Sequence, residues 1–272
     1  MQCFKNALAQ PQISLLDRAF HYGDGCFTTA KILQNKIQLW DRHLQRLQEC
    51  CQRMGLQVDL SLIDQTLKQL RCIETELNGT LKIIISRGEG QRGYALPDHP
   101  ADVYVFYYPL TKVADCGFSY VSQVGVLDQR IGLTMPQLCG LKTLNRLEQV
   151  LLKKEAVEKQ LDEALVLDIQ GRIVEGISSN CFILMNNQWV TPDLEYNGVH
   201  GVMRAEILQR MQHAGIECHA IELFQADLHR VEALFFCNAL HPMQIAQHLM
   251  NTNLSTSHAI QLFKDLQLDQ IQ

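Results

Sequence analysis

The chain has 272 residues, 47% hydrophobic and 19% charged, with a net charge of −5. That length serves one large or two modest domains, each able to bury a core. The acidic balance excludes the basic face that nucleic acid or an anionic membrane would need.

No apolar run approaches the roughly 18 residues of a membrane span, and nothing at the N-terminus reads as a signal peptide. The ten cysteines are scattered without a C-x-x-C pair. Reduced thiols in a cytoplasmic protein are therefore expected, and no metal site.

In chain order, Phe27 to Leu33 and Lys36 to Trp40 read as strands around a Gln34-Asn35 turn. Asp41 can cap a helix to about Met54, with Leu44, Leu47, Cys51 and Met54 on one stripe. A second helix starts at Ser61. Strands Leu81 to Ser86 and Val103 to Tyr108 flank a glycine-rich loop, Arg87 to Tyr94. Residues 110–117 are polar and pattern-free, which makes them a linker between a small α/β domain at 1–109 and a larger one at 118–272. The second part opens with a strand from Phe118 to Val126. A helix through Lys159 follows, with Leu144, Leu147, Leu151 and Ala156 turned inward. Ala164 to Asp168 and Arg172 to Glu175 form a hairpin, and Cys181 to Met185 turns at Asn186-Asn187 into Gln188 to Val190. A helix runs from Gly201 to Gly215, Val231 to Cys237 is a strand, and Ser257 opens a last helix to Leu266. The class is mixed α and β (α+β) in two domains.

One lysine, Lys142 in Gly140-Leu141-Lys142-Thr143-Leu144-Asn145-Arg146, stands in an uncharged run just before a helix. A desolvated lysine loses its proton and attacks carbonyls. A cofactor with an aldehyde, a pyridine nitrogen and a phosphate would use such an amine. It would also need a carboxylate for the ring nitrogen, for which Glu175 beside Gly176 is the candidate. Its phosphate would need a helix start and a cation, for which Gly201-Val202-Met203 and Arg46 are the candidates. Taken singly, each has a plainer reading: a solvated lysine, a surface glutamate, a loop end and a solvated helix arginine.

Together, Asp17 to Phe27, His43 to Leu47, Lys142 with Leu144-Asn145, and Glu175 to Asn180 resemble the fold-type IV pyridoxal-phosphate enzymes, the D-amino-acid aminotransferase-like family. The resemblance covers nearly the whole chain. Gly25 to Ala30, Ser86-Arg87-Gly88, Arg92-Gly93-Tyr94, Leu141 to Val150, Asp162 to Asp168 and Cys237 to Leu240 are most similar to its aminodeoxychorismate lyase branch. What this implies is pyridoxal 5'-phosphate as cofactor, Lys142 as its Schiff-base lysine and Glu175 at the ring nitrogen. Arg46 and the amides of Val202 and Met203 would meet the phosphate, with Asn238 to Leu240 bordering it. Arg92 and Tyr94 would meet substrate carboxylate, with Thr28, Asn145 and Arg146 near the site.

The implied activity is conversion of 4-amino-4-deoxychorismate to 4-aminobenzoate and pyruvate in folate synthesis, by a homodimer. Thr28 stands where many of the aminotransferases carry a glutamate. The lost anion favours a substrate with several carboxylates, and so a lyase over a branched-chain or D-amino-acid aminotransferase. A non-catalytic binding protein with a structural Lys142 is the reading from another class.

Overall fold

The structure, a computed structural model, describes residues 1–110 and 117–271. It separates into two compact units. The expected linker falls mostly on residues 111–116, outside the described residues.

The first unit contains β1 (Gln2–Lys5), β2 (Leu8–Ala9), α1 (Arg18–Tyr22), β3 (Gly25–Leu33), β4 (Lys36–Ile37), α2 (Trp40–Met54), α3 (Ser61–Ile73), β5 (Gly79–Ser86) and β6 (Asp102–Pro109). Its six strands form one antiparallel sheet in the order β2-β1-β6-β5-β3-β4. Leu81, Ile83 and Ile85 alternate along β5 and are buried, opposite Ala30, Thr28 and Cys26 of β3. α2 packs on β3 and buries His43, Leu47, Cys50 and Cys51.

The expected strand from Lys36 to Trp40 is cut short. After two residues of β4 the chain turns at Leu39, with φ of 54°, and α2 begins at Trp40 with no side-chain cap, ahead of Asp41. α1, β1 and β2 had no counterpart in the sequence pattern. α1 is started by Asp17, whose carboxylate accepts the Ala19 N–H at 2.8 Å, and stopped by Gly23 at φ 63°.

Leu141–Asn145 belong to this unit, although both flanking segments of chain belong to the other. The cause is backbone pairing. Phe27 N donates to Lys142 O and Leu144 N to Gly25 O, each at 3.0 Å. Cys26 and Thr143 form a bridge between them.

The second unit contains β7 (Ser119–Ile131), α4 (Leu147–Glu158), β8 (Glu163–Asp168), β9 (Ile173–Gly176), β10 (Asn180–Met185), β11 (Gln188–Pro192), α5 (Val202–His213), β12 (Cys218–Ile221), β13 (Val231–Cys237), β14 (Gln244–Leu249), β15 (Thr252–Asn253) and α6 (Ser257–Asp265). Its nine-stranded sheet runs β12-β11-β10-β13-β14-β7-β8-β9, with β15 beside β14. β7 and β8 are parallel and joined through α4, and β11 and β12 are parallel and joined through α5. Parallel neighbours require such crossovers. β8 and β10 are buried along their whole length, as expected for central strands covered on both faces.

α4 differs from its expected stripe. Leu144 lies outside the helix, Leu147 and Leu151 are exposed, and Leu152, Glu155 and Ala156 face inward. Two constraints produce this. The pairing of Leu144 with Gly25 delays the helix start. Glu155 then turns inward to accept the N–H groups of Asp128 at 2.7 Å and Gln129 at 3.0 Å, where β7 is irregular. Those amides have no ladder partner there, so a buried acceptor is worth more than another apolar contact.

Candidate functional site

In the first unit, the pairing on β3 fixes the backbone of Lys142. Its ammonium lies over the Phe27 ring, 4.7 Å from the centroid. On α2 of the same unit, Arg46 Nη2 donates to Thr28 Oγ1 and lies 3.3 Å from His43 Nδ1. Thr28 and His43 are fully buried, and Thr28 Oγ1 is 2.6 Å from His43 Nδ1. With Arg46 donating to the threonine oxygen, the hydroxyl proton is left for His43 Nδ1. The imidazole is then neutral with its proton on Nε2.

Burial first, and then the Arg46 charge, pull the His43 pKa down to about 3. Burial also pulls Arg46 down to about 10, though a guanidinium stays charged across the physiological range. Its Nε is buried with no hydrogen-bond partner, and it makes no ion pair with a carboxylate among the described residues. A partly buried cation with a buried, unpartnered nitrogen calls for an anion. Hydrogen bonding to Cys50 and Cys51, with burial, keeps the neighbouring Cys26 thiol protonated.

The loop expected to meet substrate lies in the same unit. Arg92 is exposed, and so is Tyr94 at 84%. Gly93 between them has φ 104°, a backbone state that favours glycine. Asn145 is exposed and donates to Gly23 O at 3.3 Å.

In the second unit, Glu175 is buried near the end of β9. Its Oε2 accepts the Val199 N–H at 3.0 Å and lies 3.4 Å from Asn180 Nδ2, which also donates to Val199 O at 2.9 Å. One side chain thus links the carboxylate to the segment that enters α5. That segment ends at Gly201, the N-cap, extended at φ −69° and without a side-chain cap. The amides of Val202 and Met203 open the helix, and both side chains are buried. A bare helix start of this kind receives anions.

Glu163 supports the turn after β9. It accepts Ile177 N at 3.0 Å and Ser179 Oγ at 2.8 Å. Asn238 is occupied in a turn after β13. Its Oδ1 accepts the N–H groups of Leu240 and His241 at 3.0 Å, and its Nδ2 reaches Ser178 O at 3.5 Å.

The structure therefore groups Lys142, Arg46 and Thr28 in one unit, and Glu175, Val202 and Met203 in the other. Thr28 is engaged by Arg46 and His43. Sequence reasoning gave no role to His43, Asn180 or Glu163. A histidine three residues before Arg46, and an asparagine closing the Glu175 motif, were the available signals. Each unit holds groups of the chemistry that pyridoxal 5'-phosphate requires: a lysine amine and a guanidinium with a buried, unpartnered Nε in the first, and an uncapped helix start and a buried carboxylate in the second.

Comparison with known proteins agrees. The family model for amino-transferase class IV matches residues 25–249. The chain is 31% identical to the aminodeoxychorismate lyase of Vibrio harveyi, over 86% of each chain. It is 24% identical to the D-alanine aminotransferase of Bacillus licheniformis, over 82% of this chain and 78% of that one. Among solved structures, the 4-amino-4-deoxychorismate lyase of Pseudomonas aeruginosa superposes with a TM-score of 0.83 at 30% identity, covering 97% of this chain and 99% of that one.

Proposed function

The chain belongs to the amino-transferase class IV family, and from that premise we propose that it is a pyridoxal-phosphate-dependent lyase. It converts 4-amino-4-deoxychorismate to 4-aminobenzoate and pyruvate, a step that supplies folate synthesis. The observation that carries the cofactor reading is the Arg46 guanidinium, whose Nε is buried with no partner. Identity to lyases above that to an aminotransferase favours elimination over amino-group transfer. Thr28 adds to this, because a carboxylate in its place would stand against Arg46 and neutralise it.

Lys142 would hold the cofactor's aldehyde carbon. Arg46 and the amides of Val202 and Met203 would hold its phosphate, and Glu175 its ring nitrogen. Asn238 would border the phosphate through its turn. When bound, the cofactor supplies an electron sink conjugated to the substrate's amine-bearing carbon. Freed when the substrate amine takes its place on the aldehyde carbon, Lys142 Nζ would remove the proton from the amine-bearing carbon as general base. The bond from the neighbouring carbon to the enolpyruvyl oxygen breaks, and the leaving enolate takes a proton from Lys142 or from a water it holds, giving pyruvate. The ring becomes aromatic, so the step runs one way. Arg92 and Tyr94 bind substrate carboxylate, with Asn145 beside them. A buried carboxylate without a cation would be costly.

We place the enzyme in the cytoplasm as a homodimer. Free thiols at every described cysteine support the compartment. Among the described residues, no helix is long and apolar enough to cross a membrane. Exposed Leu147, Val150, Leu151 and Val157 on α4 support a partner surface.

The test is release of pyruvate and 4-aminobenzoate with and without added pyridoxal phosphate, in the absence of any keto acid. Cofactor-dependent release of both products is expected. Turnover only with a keto-acid acceptor would replace the lyase by an aminotransferase.

A further inference from the structure

Arg18 opens α1 and is 4% exposed. A buried guanidinium is tolerated only when its N–H groups find acceptors, and those of Arg18 find them in two places. Nε donates to Asp24 Oδ2 at 2.8 Å. Nη1 donates to the carbonyls of Gly93 at 3.0 Å and Ala95 at 3.3 Å, the residues on either side of Tyr94.

The guanidinium also stacks on Tyr22, 4.9 Å from the ring centroid. Tyr22 in turn accepts the Gly93 N–H at 3.1 Å and lies ring to ring with Tyr94 at 5.5 Å. Gly90 packs so closely on the arginine that a methyl there would sit 2.8 Å from Arg18 Cδ.

The start of the loop is also tied by Arg18 N–H to Gly88 O at 2.8 Å and by Gly90 N–H to Leu16 O at 3.2 Å, whereas the stretch from 91 to 97 has the Arg18 and Tyr22 contacts. Arg92 and Tyr94 are exposed, and a Cβ on Gly93 would meet nothing within 4 Å. His99 holds Glu89 O at 2.8 Å, before the segment that matters.

Asp24 does not depend on Arg18 alone. Arg87 Nε donates to the same Oδ2 at 2.8 Å and is itself anchored on Met54 O and Gly55 O. Removing Arg18 leaves Asp24 paired, but leaves the carbonyls of Gly93 and Ala95 without their cation.

We propose that Arg18 is a positioning residue that sets the presentation of Arg92 and Tyr94 to the substrate. It acts through the loop backbone and does not touch the substrate. The proposal rests on the reading of Arg92 and Tyr94 as carboxylate-binding residues.

The test uses the holoenzyme with Arg18→Lys and Arg18→Met. A lysine can stay with Asp24 but lacks the fork that reaches two carbonyls. Backbone amides of residues 91–97 should exchange with deuterium at least about tenfold faster in both variants, with the rest of the chain unchanged. The KM for aminodeoxychorismate should rise about tenfold, with kcat within about twofold, as for loss of binding shared by ground and transition states. The visible spectrum of bound cofactor should not move. In an Arg92→Ala, Tyr94→Ala background, Arg18→Lys should add no further rise in KM.

Unchanged exchange in 91–97 overturns the proposal, as does a fall in kcat at constant KM. Should Arg18→Met fail to fold, Arg18→Lys carries the test. An inactive wild-type enzyme would instead sink the functional reading, and the exchange measurement would still decide whether Arg18 holds the loop.

Discussion

Gly201→Ala puts one methyl at the helix start assigned to the cofactor phosphate. The added Cβ would overlap Asn180 Oδ1 and lie 3.2 Å from Asn180 Cγ. Backbone preference is not at issue, because φ of −69° and ψ of 138° suit alanine, and the stiffer chain returns ~0.4–1 kcal/mol. Asn180 is buried and tied to Val199 O at 2.9 Å. Either it stays and the overlap costs ~1–3 kcal/mol as overpacking, or it swings away and orphans buried groups at ~1–3 kcal/mol. From the middle of either range, roughly 2 kcal/mol, subtracting the chain term leaves a net loss of about 1–2 kcal/mol. If this loss falls on the bound state, affinity for pyridoxal phosphate drops about 5- to 30-fold, at roughly 1.4 kcal/mol per decade. If it falls on the fold, the apo protein melts lower by ~2–4 °C per kcal/mol. Fluorescence titration of apoprotein and thermal unfolding read the two separately. The same substitution in an Asn180→Ala background should cost almost nothing, because the clashing atom is gone. Unchanged affinity and melting in Gly201→Ala, or an equal loss in both backgrounds, would refute the reasoning.

Lys142→Ala should lower pyruvate release by at least ~10³-fold with an unchanged circular dichroism spectrum, since base and proton donor are lost together; appreciable turnover removes Lys142 from the mechanism. His43 titrates with its folded pKa near 3, below its ordinary 6.5. Between those values the unfolded chain binds the proton and the folded chain does not, so stability falls as pH falls. From pH 6.5 to 5 the loss is about 2 kcal/mol, at ~1.4 kcal/mol per unit. Urea unfolding should show this slope in wild type and a flatter one in His43→Gln, and parallel curves would contradict the burial argument. Glu163→Ala orphans Ile177 N and Ser179 Oγ, at ~1–3 kcal/mol each. Its midpoint in urea should drop clearly, and a midpoint equal to wild type would mean that these donors find other acceptors.

The sequence pattern was most legible where local rules act alone. The Gln34-Asn35 and Asn186-Asn187 turns have both residues at positive φ, the state two-residue hairpins demand. β13 spans Val231–Cys237 as the apolar run suggested. Legibility failed where tertiary hydrogen bonds overrode periodicity. Leu147 and Leu151 look like core on a helical wheel and are exposed, because Glu155 is needed at the irregular turn of β7. α1 was invisible because five residues carry no helical period.

The same division runs through the candidate site. Lys142, Glu175, Arg46 and Gly201 could be proposed from the sequence because each belongs to a short motif whose chemistry is local. Thr28 was read for the charge it lacks, whereas its hydroxyl joins Arg46 to His43. That link depends on β3 and α2 meeting, which spacing cannot express. Arg18, Asn180 and Glu163 are of the same kind. Each is a buried polar side chain whose partners lie on a neighbouring loop or turn, and each holds backbone close in sequence to a residue proposed for the site. A buried polar group must be satisfied, so every such side chain also fixes the geometry of whatever satisfies it. The residues that touch a ligand can be read from motifs, while those that set its pose are found by asking which buried donors and acceptors they satisfy.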